Sequence, residues 1–319
     1  MPSLSVYVLC GSTLVMLLLS LAFLRHCRVS RPPIGVFNRS DVLLAVLFIT
    51  LAHVVYVVLP LWLAVGVFAL AVLSALYCTL EPLVRSRVLT WLVSLSVIAV
   101  DIGAARILGT QNNGFTLIND VVILLVIIGV SNLWVQSGLT ARNAVLFSLL
   151  LAIFDLFATA LSPLTFTLLA RLQNTPLTPV LAWTSNGISL GGGLGDFLLV
   201  TVFVLTMEKA FGRTAAILGM LLSLLVIAAL LLNDQPWPGM IFLAPLMLGQ
   251  YLFWHRRCGQ ERTTWQYVQE EPPAPRQVAQ AAVHVRSCSG EGEGRPSEAL
   301  RPRGGVQPEA NRTRQEVLR

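Results

Sequence analysis

The chain is 319 residues long, 55% hydrophobic and only 12% charged, with a mean hydropathy of +0.74. A water-soluble domain of this composition would have to face water with apolar side chains, so the natural solvent is a bilayer. The net charge of +6 does not point to nucleic acid as a partner. The basic residues are scattered between apolar stretches and along the C-terminal part, where they read as topology signals.

The first apolar stretch, Met1 to Leu24, has no basic segment before it and is followed by Arg25, Arg28 and Arg31. That order suits a retained helix entering from outside, not a cleaved signal peptide. A membrane crossing takes about 20 apolar residues. On that ruler spans fall at 4–24, 41–59, 61–78, 88–108, 117–135, 143–162, 188–207, 214–233 and 238–255. The second and third come from one run split at Pro60, because a single helix of that length would overshoot the bilayer and proline favours a turn. The expected fold is therefore all-α and polytopic, with about nine transmembrane helices in residues 1–258. Residues 259–319 alternate Arg and Glu among Pro, Gly, Gln and Ser. This segment cannot bury enough surface to fold and is expected to be a disordered polar tail.

The arginines agree with that count. Arg25, Arg28, Arg31, Arg39, Arg85, Arg87, Arg142, Lys209, Arg213, Arg256 and Arg257 fall on one side of a nine-helix arrangement, against Arg106 and Arg171 on the other. By the positive-inside rule the amino terminus is expected outside and the tail in the cytoplasm. Cys10, Cys27, Cys78, Cys258 and Cys288 show neither CxxC pairing nor histidines at ligand spacing. Free thiols are expected, without metal, disulfide framework or cofactor.

An ionised carboxylate in hydrocarbon is costly and calls for a reason. Asp120 lies near the start of its helix, where capping is the simpler role. Asp101 is deeper, to be held by Arg106 or by a polar partner on a neighbouring helix, or else catalytic. Asp155 lies in Ile153-Phe154-Asp155-Leu156-Phe157, and Asp196 closes Gly193-Leu194-Gly195-Asp196. Counted from their cytoplasmic helix ends, these two acids stand roughly 20 and 17 Å deep, so they can meet at one level, a test that Asp101 also passes. Gly191, Gly192, Gly193 and Gly195 remove side chains ahead of Asp196, at up to about 1 kcal/mol of helix stability each. They serve either close helix packing or access of water and extended substrate to the acid. A phosphate loop is a poorer reading, because no strand is expected before the glycines and the lysine of such loops is missing.

Phe154-Asp155 followed by Gly193-Leu194-Gly195-Asp196-Phe197 resembles the presenilin and signal peptide peptidase family of GxGD intramembrane aspartyl proteases. That family has nine helices, a Tyr-Asp motif in the sixth, Gly-x-Gly-Asp in the seventh and Pro-Ala-Leu opening the ninth. The similarity covers most of residues 1–255 in layout, but only about 143–255 in specific residues. Two departures stand out. Phe154 replaces the tyrosine, and Pro-Ala-Leu is absent. By position Pro238-Gly239-Met240 is its better counterpart, whereas Ala244-Pro245-Leu246 matches in composition but lies deeper.

The resemblance implies Asp155 and Asp196 as the catalytic pair, with Phe154, Gly193, Leu194, Gly195, Pro238 and Pro245 around the substrate. It also implies hydrolysis of peptide bonds in transmembrane helices or signal-peptide remnants, with membrane lipid as the surrounding partner. The competing expectations are a proton-coupled transporter in which the same acids relay protons, and a non-catalytic membrane scaffold whose aspartates merely hydrogen-bond.

Overall fold

The computed structural model describes residues 4–29, 37–84, 86–162, 164–172, 174–185, 188–233, 238–262 and 266–267. Within them the helices are α1 (Leu4–His26), α2 (Arg39–Val58), α3 (Leu61–Leu80), α4 (Arg87–Leu108), α5 (Asn113–Gln136), α6 (Ala141–Asp155), α7 (Leu164–Leu172), α8 (Leu194–Phe211), α9 (Arg213–Leu231) and α10 (Met240–Cys258). Residues Leu156–Leu161 continue α6 as a π-helical turn. Between α7 and α8 lies an antiparallel pair of strands, β1 (Val180–Ser185) and β2 (Ile188–Gly193). Residues 268–319 lie outside the described residues. The expected polar tail therefore lies outside them too, apart from 259–262 and 266–267.

Among the described residues seven helices are long and apolar enough to cross a membrane: α1 to α5, α6 extended to Thr159, and α9. The protein is a multi-pass membrane protein, mostly helical. The expected count of nine is not reached by that measure, because α8 carries Asp196, Glu208 and Lys209 and α10 ends in His255, Arg256 and Arg257. The break at Pro60 is present. Leu59 leaves the helical conformation and Pro60 caps α3.

An all-α chain was expected, and the hairpin is the departure from it. The seventh span was expected to be helical from residue 188, but residues 188–193 pair with β1 instead. Three consecutive glycines disfavour a helix, while the partner Val180-Leu181-Ala182-Trp183-Thr184-Ser185 is rich in strand-forming types. Gly191 admits β1 closely, since a Cβ there would meet Val180 Cγ1 at 2.9 Å and the Leu181 carbonyl oxygen at 3.0 Å. Gly192 lies under the ring of Phe197, whose Cε2 would be 2.6 Å from a Cβ. The glycines thus stand in a strand, not in a loop that follows one.

Helix α8 is the axis of the molecule. Every residue from Leu199 to Ala210 is buried, and α5, α6, α9, α1 and α10 surround it. A helix apolar on all sides belongs in such a centre. By contrast α2 buries only Val42 and presents Leu43, Leu44, Leu47, Phe48 and Leu51 outward. In water this face would be an aggregation site; in hydrocarbon it is the lipid surface.

One end of the bundle is held by charge. Arg25 ending α1 pairs with Glu208 near the end of α8, N–O 2.6 Å. Lys209 Nζ donates to the Val135 and Leu139 carbonyls at 3.0 and 2.6 Å, satisfying the open end of α5. Glu261 accepts from the Ala141 and Arg142 amides at 3.0 and 3.2 Å, capping α6, while Arg262 Nη2 donates to the Glu208 carbonyl at 3.0 Å. The C-terminal ends of α1, α5, α8 and α10 and the start of α6 therefore share one end. Arg171 caps α2 elsewhere, donating to the carbonyls of Tyr56, Val57 and Leu59.

Candidate active site

Three helix ends converge on Asp155 and Asp196. Asp155 is the last residue of α6, where the backbone widens into the π-helical turn; such turns interrupt helices at functional positions. Thr159 Oγ1 donates to Asp155 Oδ1 at 3.0 Å, and Thr165 Oγ1 at the start of α7 lies 3.3 Å from Thr159 Oγ1. Met240 N, the first amide of α10, donates to Asp155 Oδ2 at 3.3 Å.

Asp196 stands in the first turn of α8, not inside a helix as expected, with Gly193 at the cap. Its carboxyl group faces the preceding residue of α10. A Cβ on Gly239 would lie 3.1 Å from Asp196 Oδ2, 3.3 Å from Cγ and 3.4 Å from Oδ1. The Gly239-Met240 peptide is therefore flanked by the two carboxyl groups, which are close enough to interact electrostatically. Two helix N-termini, those of α8 and α10, point partial positive charge at this spot.

Pro238, Gly239 and Met240 thus adjoin the pair. Pro245 is inside α10 on an exposed face, and nothing links it to either acid. Phe154 packs against His53 of α2, and Leu194 opens α8. Gly193 has Asp196 Oδ2 3.8 Å from its Cβ position, and Gly195 has nothing within 4 Å among the described residues. No described helix packs against the Gly195 Cβ position.

The other acids have structural partners. Asp101 Oδ2 accepts from the Leu177 amide at 2.8 Å, not from Arg106, and holds a residue with φ +59°. Asp120 is buried within α5, whose cap is Asn112. It accepts from Ala182 N at 3.2 Å, while Asn119 Nδ2 donates to the carbonyls of Thr178 and Val180 at 3.0 and 3.4 Å.

Those bonds fix the use of the hairpin's two edges. Ala182 N points to α5, and Leu194 N donates to Pro179 O at 3.1 Å. In an antiparallel pair, alternate residues bond across the ladder and the others turn outward. Leu181↔Gly192 is therefore a bonded pair, and the Gly191 and Gly193 backbone groups face away from β1. Among the described residues no other strand pairs with that edge.

His53 and Thr159 were not singled out in the sequence. His53 had a legible signal. It lies about 14 residues along α2 from the basic end, a depth of about 21 Å, which is the depth of Asp155 along α6.

A scan against protein-family models matches none, and a search of curated proteins returns no match. Among the described residues no group of three or more His, Cys, Asp or Glu side chains could hold a metal ion.

Proposed function

We propose that this protein is an intramembrane aspartyl endopeptidase in which Asp155 and Asp196 form the catalytic pair. The observation that carries the reading is the placement of both carboxyl groups against the Gly239-Met240 peptide, beside a strand edge with no partner strand among the described residues. Two carboxyls at close range share one proton and titrate as a unit. The ionised member takes a proton from water as it attacks the peptide carbonyl, and the protonated member donates to the developing oxyanion or leaving amine. Asp155, with bonds from Thr159 and from the first amide of α10, is the better-held anion.

A peptide bond inside a helix is shielded, so a substrate helix must unwind. An unwound segment can add to the outer edge of β2, pairing with Gly191 and Gly193 a few residues from Asp196. The lipid-exposed α2 borders the route from the bilayer. In this reading α8 and α10 complete nine crossings, their charged residues lying at the ends or at the site. The arginine-rich end then faces the cytoplasm, the amino terminus lies outside, and substrates enter with cytoplasmic amino termini. That orientation is the one found in the signal peptide peptidase branch of the family that the Gly-Leu-Gly-Asp motif resembles.

The test is cleavage of a transmembrane peptide by the purified protein, with and without an aspartyl-protease transition-state analogue. Inhibitable cleavage supports the protease. Proton-coupled solute uptake into vesicles without cleavage would support the transporter, and neither activity would leave a scaffold.

A further inference from the structure

His53 is an ionisable side chain at the depth of the acid pair, on a helix that is otherwise lipid-facing. Its ring meets Phe154 edge-on, centroids 5.0 Å apart, which places it beside the residue preceding Asp155. Its Nδ1 is 2.8 Å from the Ile49 carbonyl oxygen. A carbonyl only accepts, so Nδ1 carries a proton and Nε2 is the nitrogen free to gain or lose one. An imidazole at membrane depth without a task would be a costly choice where a leucine would serve.

We propose that His53 is a positioning residue for the acid pair. As imidazolium it holds the shared negative charge on Asp155 and leaves the proton on Asp196. This rests on the protease reading above. Charged groups bear on it from each element packed against α2. From α6 the Asp155 carboxyl interacts electrostatically with His53. From α7 the Arg171 guanidinium, bound to carbonyls of Tyr56, Val57 and Leu59 about a turn further along α2, opposes the imidazolium. Asp196 adds a second acid through Asp155. A cation beside the pair keeps one carboxyl ionised at lower pH, so its removal closes the active window from the acid side.

The experiment combines two readouts on full-length protein in bilayers. His53→Phe retains an aromatic ring against Phe154 and loses Nε2. The acid limb of its kcat/KM profile is expected to move toward neutral by about one pH unit, which is roughly a tenfold loss on the acid side. A merely structural role would scale the profile without moving it. In parallel, the imidazole NMR titration of His53, assigned by its loss in His53→Phe, is expected to shift by at least about half a pH unit in Asp155→Asn. An unmoved titration overturns the proposal. A moved titration with an unmoved cleavage profile overturns the positioning role. A moved titration in a protein that cleaves nothing leaves the coupling standing and removes the protease reading instead. If His53→Phe does not fold, His53→Gln carries the same readouts.

Discussion

Gly239→Ala probes the acid pair without touching either acid. Gly239 has φ −62° and ψ −36°, so alanine fits the backbone without strain. The added methyl, however, lies 3.1 Å from Asp196 Oδ2 and 3.3 Å from its Cγ, against a comfortable separation of about 3.5 Å or more. The carboxyl group must withdraw by a few tenths of an ångström. A misplacement of about 1 Å can cost a hundredfold in rate, so this smaller one should lower kcat roughly three- to tenfold.

Stability should fall by about 1 kcal/mol or less, because the helical φ and ψ of this capping residue suit alanine while the lost glycine cap and the crowding oppose it. Two other glycines frame the measurement. Gly195→Ala adds its methyl to open space and should leave thermal stability near wild type, so any loss of turnover reports substrate access. Gly192→Ala would drive a methyl into the buried Phe197 ring at 2.6 Å, at about 1–3 kcal/mol. The assay is thermal unfolding in detergent beside peptide cleavage on the same preparations. Wild-type turnover in Gly239→Ala, or loss of turnover in proportion to stability as in Gly192→Ala, would refute the placement of Asp196 against α10.

Further outcomes follow from the other buried charges. Asp101→Asn keeps an oxygen for the Leu177 amide and should cost about 1 kcal/mol while cleavage persists; complete loss of cleavage in a stable protein would give Asp101 a catalytic role. Arg25→Ala strands the buried Glu208 carboxylate and should cost about 1–3 kcal/mol given the part-exposed arginine. Adding Glu208→Gln should recover most of that loss, and a neutral Arg25→Ala would contradict the pairing. Cysteine labelling at position 2 and at Cys288 in intact cells should find the first reachable by an impermeant reagent and the second protected; the reverse would invert the orientation and the expected substrate.

Much of the helical layout was legible because membrane helices announce themselves by length and composition. Pro60 and the clustered arginines divided the chain where helices do end. The hairpin was not legible. Residues 188–193 are apolar enough to pass for part of a span, and the bonds that hold β1 come from Asn119 and Asp120, about sixty residues away. For the same reason Asp101 could not be matched to the Leu177 amide. Asp155 and Asp196 were found through their sequence context. The placement of Met240 and Gly239 beside them depends on where α10 begins, which only the three-dimensional structure gives. His53 belongs to no motif and carries no carboxylate, although its depth along α2 is countable.

The central claim is that two aspartates flanking one peptide of α10 hydrolyse a membrane-embedded substrate together. The most direct measurement is the product spectrum, by mass, of a transmembrane peptide incubated in bilayers with wild type, Asp155→Asn and Asp196→Asn. The expected result is defined cleavage products from wild type and none from either variant, both variants remaining folded and membrane-inserted. Wild-type products from either single variant would contradict the account.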